Sequence, residues 1–172
     1  MKGLTLFEVL VSLLIFLIIA LGLSYAVVAG KSALLVSDIP TQLRGNLLFA
    51  LMPMVRELRQ SAPAKINLGE GLSSNAITFK VPHDNNADGV VVDSVGSVEW
   101  SGDITYALNG SSQLTRTFGG VTSVIAPNIA VLEFSRPVGE DALIQIDIIV
   151  SKLDGQGTLY QDAEQQIVKM RN

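Results

Sequence analysis

Gly3-Leu4-Thr5-Leu6-Phe7-Glu8-Val9-Leu10 opens an apolar run that stops only at Lys31. From Val9 to Gly30 the chain has 22 residues without a charge. At about 1.5 Å per residue, such a helix is long enough to cross a hydrocarbon layer roughly 30 Å thick. Glu8 breaks the pattern, because a carboxylate one turn into an apolar segment costs a few kcal/mol (about 2.5–3.5) unless it is paired. An ionisable group in that position is a functional candidate by default.

The segment does not have the form of a cleavable secretion signal. That form places a charged start first, then about 7–15 apolar residues, then a small-residue cleavage site. Here the charged start is only Met1-Lys2, and the plausible processing point, Gly3, lies before the apolar run. A cut after Gly3 leaves the hydrophobic helix on the mature chain and creates an α-ammonium at Leu4, four residues from Glu8. In a bundle of such helices, the Leu4 ammonium of one subunit stands at a height where it can pair with Glu8 of a neighbour.

These residues resemble the prepilin signature of type IV pilins and type II secretion pseudopilins, commonly written Gly, then Phe-Thr-Leu-Ile-Glu-Val/Leu. The resemblance implies cleavage between Gly3 and Leu4 by a membrane prepilin peptidase, N-methylation of Leu4, and a register-setting role for Glu8 in filament assembly. Leu4 stands where phenylalanine is commonest, a position at which family members vary. An uncleaved membrane anchor with a chance glutamate is the plain alternative.

Length and composition fit one head plus an anchor. The chain has 172 residues and no cysteine, so no disulfide staples it. Its formal charge is −4, and loss of Lys2 makes it −5, which argues against broad affinity for nucleic acid or anionic lipid.

After Lys31 the apolar residues Leu43, Leu47, Leu51, Met54 and Leu58 recur at three- and four-residue steps, one stripe of an amphipathic helix. Gln42, Arg44, Asn46, Arg56, Glu57, Arg59 and Gln60 fall largely away from it. Pro40, Gly45 and Pro53 are expected to bend or loosen the helix, and Ser61-Ala62-Pro63 to end it. The expected helix is roughly 57 residues, about 85 Å if straight.

From Ile66 the period is that of strands. Ala76–Val81, Val90–Val92, Ser97–Trp100, Ile104–Leu108, Gln113–Phe118, Ile129–Phe134, Leu143–Val150 and Ile167–Arg171 are the candidates. Asn109-Gly110 is expected to supply the positive φ angles of a tight hairpin turn. Five to seven antiparallel strands after a long helix make an α+β protein, pilin-like in outline. The expected organisation is a leader at 1–3, a transmembrane or filament-core helix at 4–30, its amphipathic continuation at 31–62, and a β-rich head at 63–172.

Met54–Gln60, a Tyr106-x-Leu108…Leu114-x-Arg116 hairpin and Val168–Asn172 resemble, more loosely, W-type minor pilins and J-type minor pseudopilins. That likeness implies a minor, priming subunit of a type IV pilus, or else a minor pseudopilin of a type II secretion system or a tip-located binding or adhesion subunit. It also implies a location in a bacterial inner membrane, single-pass with the head outside the cytoplasm, and then in the filament. The implied partners are prepilin peptidase, other pilins or pseudopilins, the inner-membrane assembly platform, and membrane lipid before assembly; no nucleic acid is expected.

One stretch suggests a cation. Asp84-Asn85-Asn86-Ala87-Asp88-Gly89 matches the first six positions of a calcium loop, where oxygens at alternate positions converge and a glycine permits the turn. The twelfth position is Val95 instead of a bidentate glutamate, and Asp93 falls two residues early. Asp84, Asn86, Asp88 and Asp93 are therefore candidate Ca2+ ligands, beside the reading of a solvated Asn/Asp turn. His83, the single histidine, reads as a surface turn residue. Gly30-Lys31-Ser32 lacks the upstream glycine of a phosphate loop, since Tyr25 occupies that position. No catalytic motif is present, and an enzyme is not expected.

Overall fold

A computed structural model describes residues 6–171, apart from the side chains of residues 32–37. Helix α1 spans Leu6–Gln60. The chain divides into two compact units, Met1–Ile39 and Pro40–Asn172. The second is α+β: the C-terminal part of α1 with two antiparallel sheets.

The helix is continuous through Pro40, Gly45 and Pro53. It stops where the sequence requires. Ala62, preceding Pro63, has φ −123° and ψ 153°, the extended conformation that a following proline imposes. Pro63–Lys65 then forms one 3-10 turn. Near the helix end, the Ser61 carbonyl accepts from the Arg171 N–H at 2.9 Å, so the last stretch of chain satisfies a carbonyl there.

Among the described residues there are eight strands. They are β1 (Ser73–Ser74), β2 (Ala76–Phe79), β3 (Ile104–Leu108), β4 (Leu114–Phe118), β5 (Val121–Ala126), β6 (Ile129–Ser135), β7 (Leu143–Leu153) and β8 (Leu159–Lys169). One sheet runs β2-β3-β4-β5, a meander; the other runs β1-β6-β7-β8. The sheets adjoin where β6 lies beside β2 and β3.

The core follows the two periods in the sequence. On the helix, Leu43, Leu47, Ala50, Met54 and Leu58 are buried. On β7, Ile144, Ile146, Ile148 and Val150 are buried at alternate positions, as on a sheet with one face covered. Phe79 and Tyr106 stack at 6.1 Å between ring centroids.

Several sequence expectations are corrected. Val90–Val92 and Ser97–Trp100 are not strands; they contribute only the isolated bridges Val92↔Val98 and Pro82↔Trp100. The hairpin turn is wider than two residues. Leu108 pairs with Leu114, and the positive φ falls at Ser112 (54°), not at Asn109 or Gly110. Asn109 acts instead through its side chain, whose Oδ1 accepts from the Ser111 and Gln113 N–H groups. The final strand begins eight residues earlier than Ile167, because β7 offers an eleven-residue ladder to the polar run from Leu159. The edge strand β5 has no counterpart in the reading, since most of its residues are exposed and give no alternation.

Glu57 also departs from expectation, for its side chain is turned inward and only 15% exposed. Its carboxylate accepts from the Tyr106 hydroxyl at 3.0 Å and from Arg116 Nε at 3.1 and 3.2 Å. It also pairs with Arg116 Nη2 at 3.0 Å. Tyr106 and Arg116 are direct partners across β3 and β4, so one helical carboxylate pins two strands. Burial first, and then the Glu57 charge, push the Tyr106 phenol well above its usual range. The hydrogen bond to Glu57 raises Arg116 further.

Removing one member of this half-buried cluster leaves the others unsatisfied. Glu57→Ala is expected to lower head stability by about 1–3 kcal/mol, and Glu57→Ala combined with Arg116→Met to recover part of that loss. Urea unfolding of the full chain in nonionic micelles, followed by the fluorescence of Trp100, measures both. Equal stability of wild type and Glu57→Ala would contradict the pinning role.

Candidate functional site

Among the described residues, one helical segment is long and apolar enough to cross a membrane: Leu6–Lys31, 26 residues with mean hydropathy 2.8. None of it is buried by the chain itself. Phe7 is 74% exposed and Phe16 72%, and leucines, isoleucines and valines are exposed on every side. Leaving each large apolar side chain in water costs roughly 1.5–3 kcal/mol relative to burying it. Such a surface is compatible with lipid or other apolar helices around it.

Two hydroxyls in this segment are bonded within the helix. Ser12 Oγ donates to the Glu8 carbonyl and Ser24 Oγ to the Ala20 carbonyl, each at 2.8 Å. Both hydroxyls bond back to residue i−4, so each donor is satisfied within the helix. Glu8 lies in the first turn of the described helix and is exposed. A carboxylate there is favoured by the positive end of the helix dipole. Gly3 and Leu4, the expected processing residues, lie outside the described residues.

The Asp-rich loop sits in the second unit. Asp84 Oδ2 accepts from the Gly89 N–H at 2.7 Å and Oδ1 from the Asp88 N–H at 3.3 Å. Asn86 Oδ1 also accepts from Asp88, and Asp88 Oδ1 from Val90. These bonds knit Asp84, Asn86 and Asp88 into one turn. Asp93 belongs to a different turn, where its Oδ1 accepts from the Val95 and Ser97 N–H groups at 2.9 Å. Glu99 fastens the loop from across it, accepting from Asn85 N at 2.7 Å and Asn86 Nδ2 at 3.1 Å.

Among the described residues, no group of three His, Cys, Asp or Glu side chains is gathered to hold a metal ion. A cation entering the turn would compete with the N–H groups of Asp88, Gly89 and Val90 for the same oxygens. The positive φ angles at Ala87 (60°) and Gly89 (85°) are those that let the chain fold back onto Asp84.

The cluster of Glu57, Tyr106 and Arg116 was missed by sequence reading. Tyr106 and Arg116 were legible as two sides of a hairpin. Glu57 is 49 residues from one and 59 from the other, and nothing local marks it as their partner.

Compared with known proteins, the chain matches no family model, no curated protein and no solved structure.

The Gly89 N–H, first among the backbone donors, holds the Asp84 carboxyl below its ordinary value of 3.8. A depressed folded pKa means that the loop bonds stabilise above the unfolded pKa and are lost as pH falls through the folded one. NMR titration is expected to show Asp84 titrating below 3.8, with protection of the Gly89 amide lost over the same range. In Asp84→Ala that amide exchanges freely at neutral pH. A Gly89 amide equally protected in the variant would refute the assignment.

Proposed function

We propose that this chain is a minor pilin, a structural and priming subunit of a type IV pilus or a related secretion filament. The supporting observation is the wholly unburied Leu6–Lys31 segment with a carboxylate in its first turn, on the same helix that enters the core of the second unit. A subunit of this kind is held in the bacterial inner membrane by one span, head outward. Prepilin peptidase removes Met1–Gly3 and the new Leu4 is N-methylated.

Assembly then exchanges lipid for neighbouring helices. Because lipid tails are as apolar as leucine, this exchange yields little hydrophobic gain, and close packing and polar contacts decide association. Glu8 carries the register, by pairing with the Leu4 ammonium of a neighbouring subunit. The partners are other pilins or pseudopilins and the inner-membrane assembly platform. The role is architectural, and no reaction is assigned to any residue.

Glu8→Ala tests this reading. The variant is expected to reach the inner membrane at wild-type level while its incorporation into sheared filaments falls at least about tenfold, equivalent to about 1.4 kcal/mol of lost pairing. Immunoblots of the membrane and filament fractions read both. Incorporation of Glu8→Ala at the wild-type level would remove Glu8 from the assembly mechanism.

A further inference from the structure

A cavity of about 400 Å³ opens in the second unit, between the end of α1, the segment at Val81 and His83, and β4. Its polar lining consists mainly of Arg56, Gln60, His83 and Arg116. Val81, Ile104 and Phe118 supply an apolar wall. That volume falls within the range of small-ligand sites, roughly 300–1,000 Å³, and the mixture of an apolar wall with a few convergent polar groups is their usual composition.

The polar groups divide into spent and available. The one carboxylate, Glu57, is fully engaged: both oxygens accept from Arg116, and one also from the Tyr106 hydroxyl. Ser101 is engaged too, donating to the Gly102 carbonyl and accepting from the Val81 N–H. In contrast, the side chains of Arg56, Gln60 and His83 make no hydrogen bond or ion pair among the described residues. Arg116 retains N–H groups beyond the Nε and Nη2 contacts to Glu57, and its guanidinium lies 5.4 Å from the centre of the Phe118 ring.

The charges at the cavity are Arg56 and Arg116 against Glu57, two positive and one negative, for a net of +1. We infer that this cavity binds a monoanionic carboxylate carried on an apolar body, with the Arg56 guanidinium as its principal partner and Gln60 and His83 as flanking polar contacts. A planar carboxylate matches the fork of an arginine, and one negative charge matches the net charge of the lining. A doubly charged phosphate would exceed that charge, and it would gain nothing from Val81, Ile104 and Phe118. Every residue in the site belongs to the second unit, Pro40–Asn172.

The test uses the full chain, 15N-labelled, in uncharged detergent micelles. The probes are 3-phenylpropionate, its neutral amide 3-phenylpropionamide, and inorganic phosphate. Expected is a saturable shift of the His83 and Gly102 amides with the carboxylate alone, weakened by added salt. Arg56→Gln should weaken that binding at least about tenfold, as loss of a charge-assisted pair requires. Arg59→Gln, which removes the same charge from a neighbouring surface outside the cavity, should leave it unchanged. No saturable shift with 3-phenylpropionate, an equal response to the amide, or preference for phosphate would overturn the assignment. So would equal losses in Arg56→Gln and Arg59→Gln, which would mean diffuse surface attraction.

Discussion

Apolar side chains leave water wherever something covers them, and along α1 that cover comes from two different sources. Between Leu43 and Leu58 one stripe, Leu43, Leu47, Ala50, Leu51, Met54 and Leu58, is buried within the second unit, while Leu48, Phe49 and Met52 on the other side stay exposed. Between Leu6 and Lys31 apolar residues surround the helix, and no part of the chain buries them. A stripe is sufficient to build a core, whereas an all-round apolar helix needs an apolar medium. The difference between an apolar surface all round the first segment and a one-sided stripe in the second underlies the division of labour proposed for the molecule. In that proposal the membrane or a filament receives the first, and the second packs in the head.

Within the second unit, polar contacts complete what the stripe begins. Glu57 reaches β3 and β4, while Arg44 pairs with Asp162 and Glu164 on β8, at 3.5 and 3.2 Å. The two sets differ in weight. Arg44 is more than half exposed, so its pairs contribute little, on the order of 0–1 kcal/mol. Glu57 and Arg116 are 15% and 26% exposed and share their hydrogen bonds with a buried tyrosine, which makes their geometry matter more. With Glu57 so engaged, Arg56 in the adjoining cavity has no ion-pair partner among the described residues.

Strong local periodicity made much of this architecture readable. The apolar run to Gly30, the Leu43–Leu58 stripe, the Pro63 stop and the alternating Leu143–Val150 strand each announce their structure over a few residues. What could not be read depends on partners distant in sequence. The polar run Leu159–Gln166 becomes a strand because β7 pairs with it along its whole length, despite the low strand preference of Asp, Ala, Glu and Gln. Asn109-Gly110 carries the sequence of a tight turn, yet the pairing of Leu108 with Leu114 fixes a wider loop. The Glu57 cluster and the cavity beside it required the helix to be laid on the sheet before either could be seen. For the Asp84 loop, alternating Asp and Asn residues suit both a cation cage and a self-bonded turn. The structure shows Asp84, Asn86 and Asp88 bonded to backbone N–H groups, with Asp93 in a turn of its own.

As proposed, the Leu6–Lys31 segment of α1 belongs to a processed filament subunit and is not merely an anchor. Intact-mass measurement of the protein from membranes of cells with and without prepilin peptidase addresses this proposal most directly. Loss of Met1–Gly3 together with one added methyl group on Leu4, only in cells that have the peptidase, is the predicted result. An unprocessed mass in both strains would contradict it, and the helix would then be an ordinary membrane anchor.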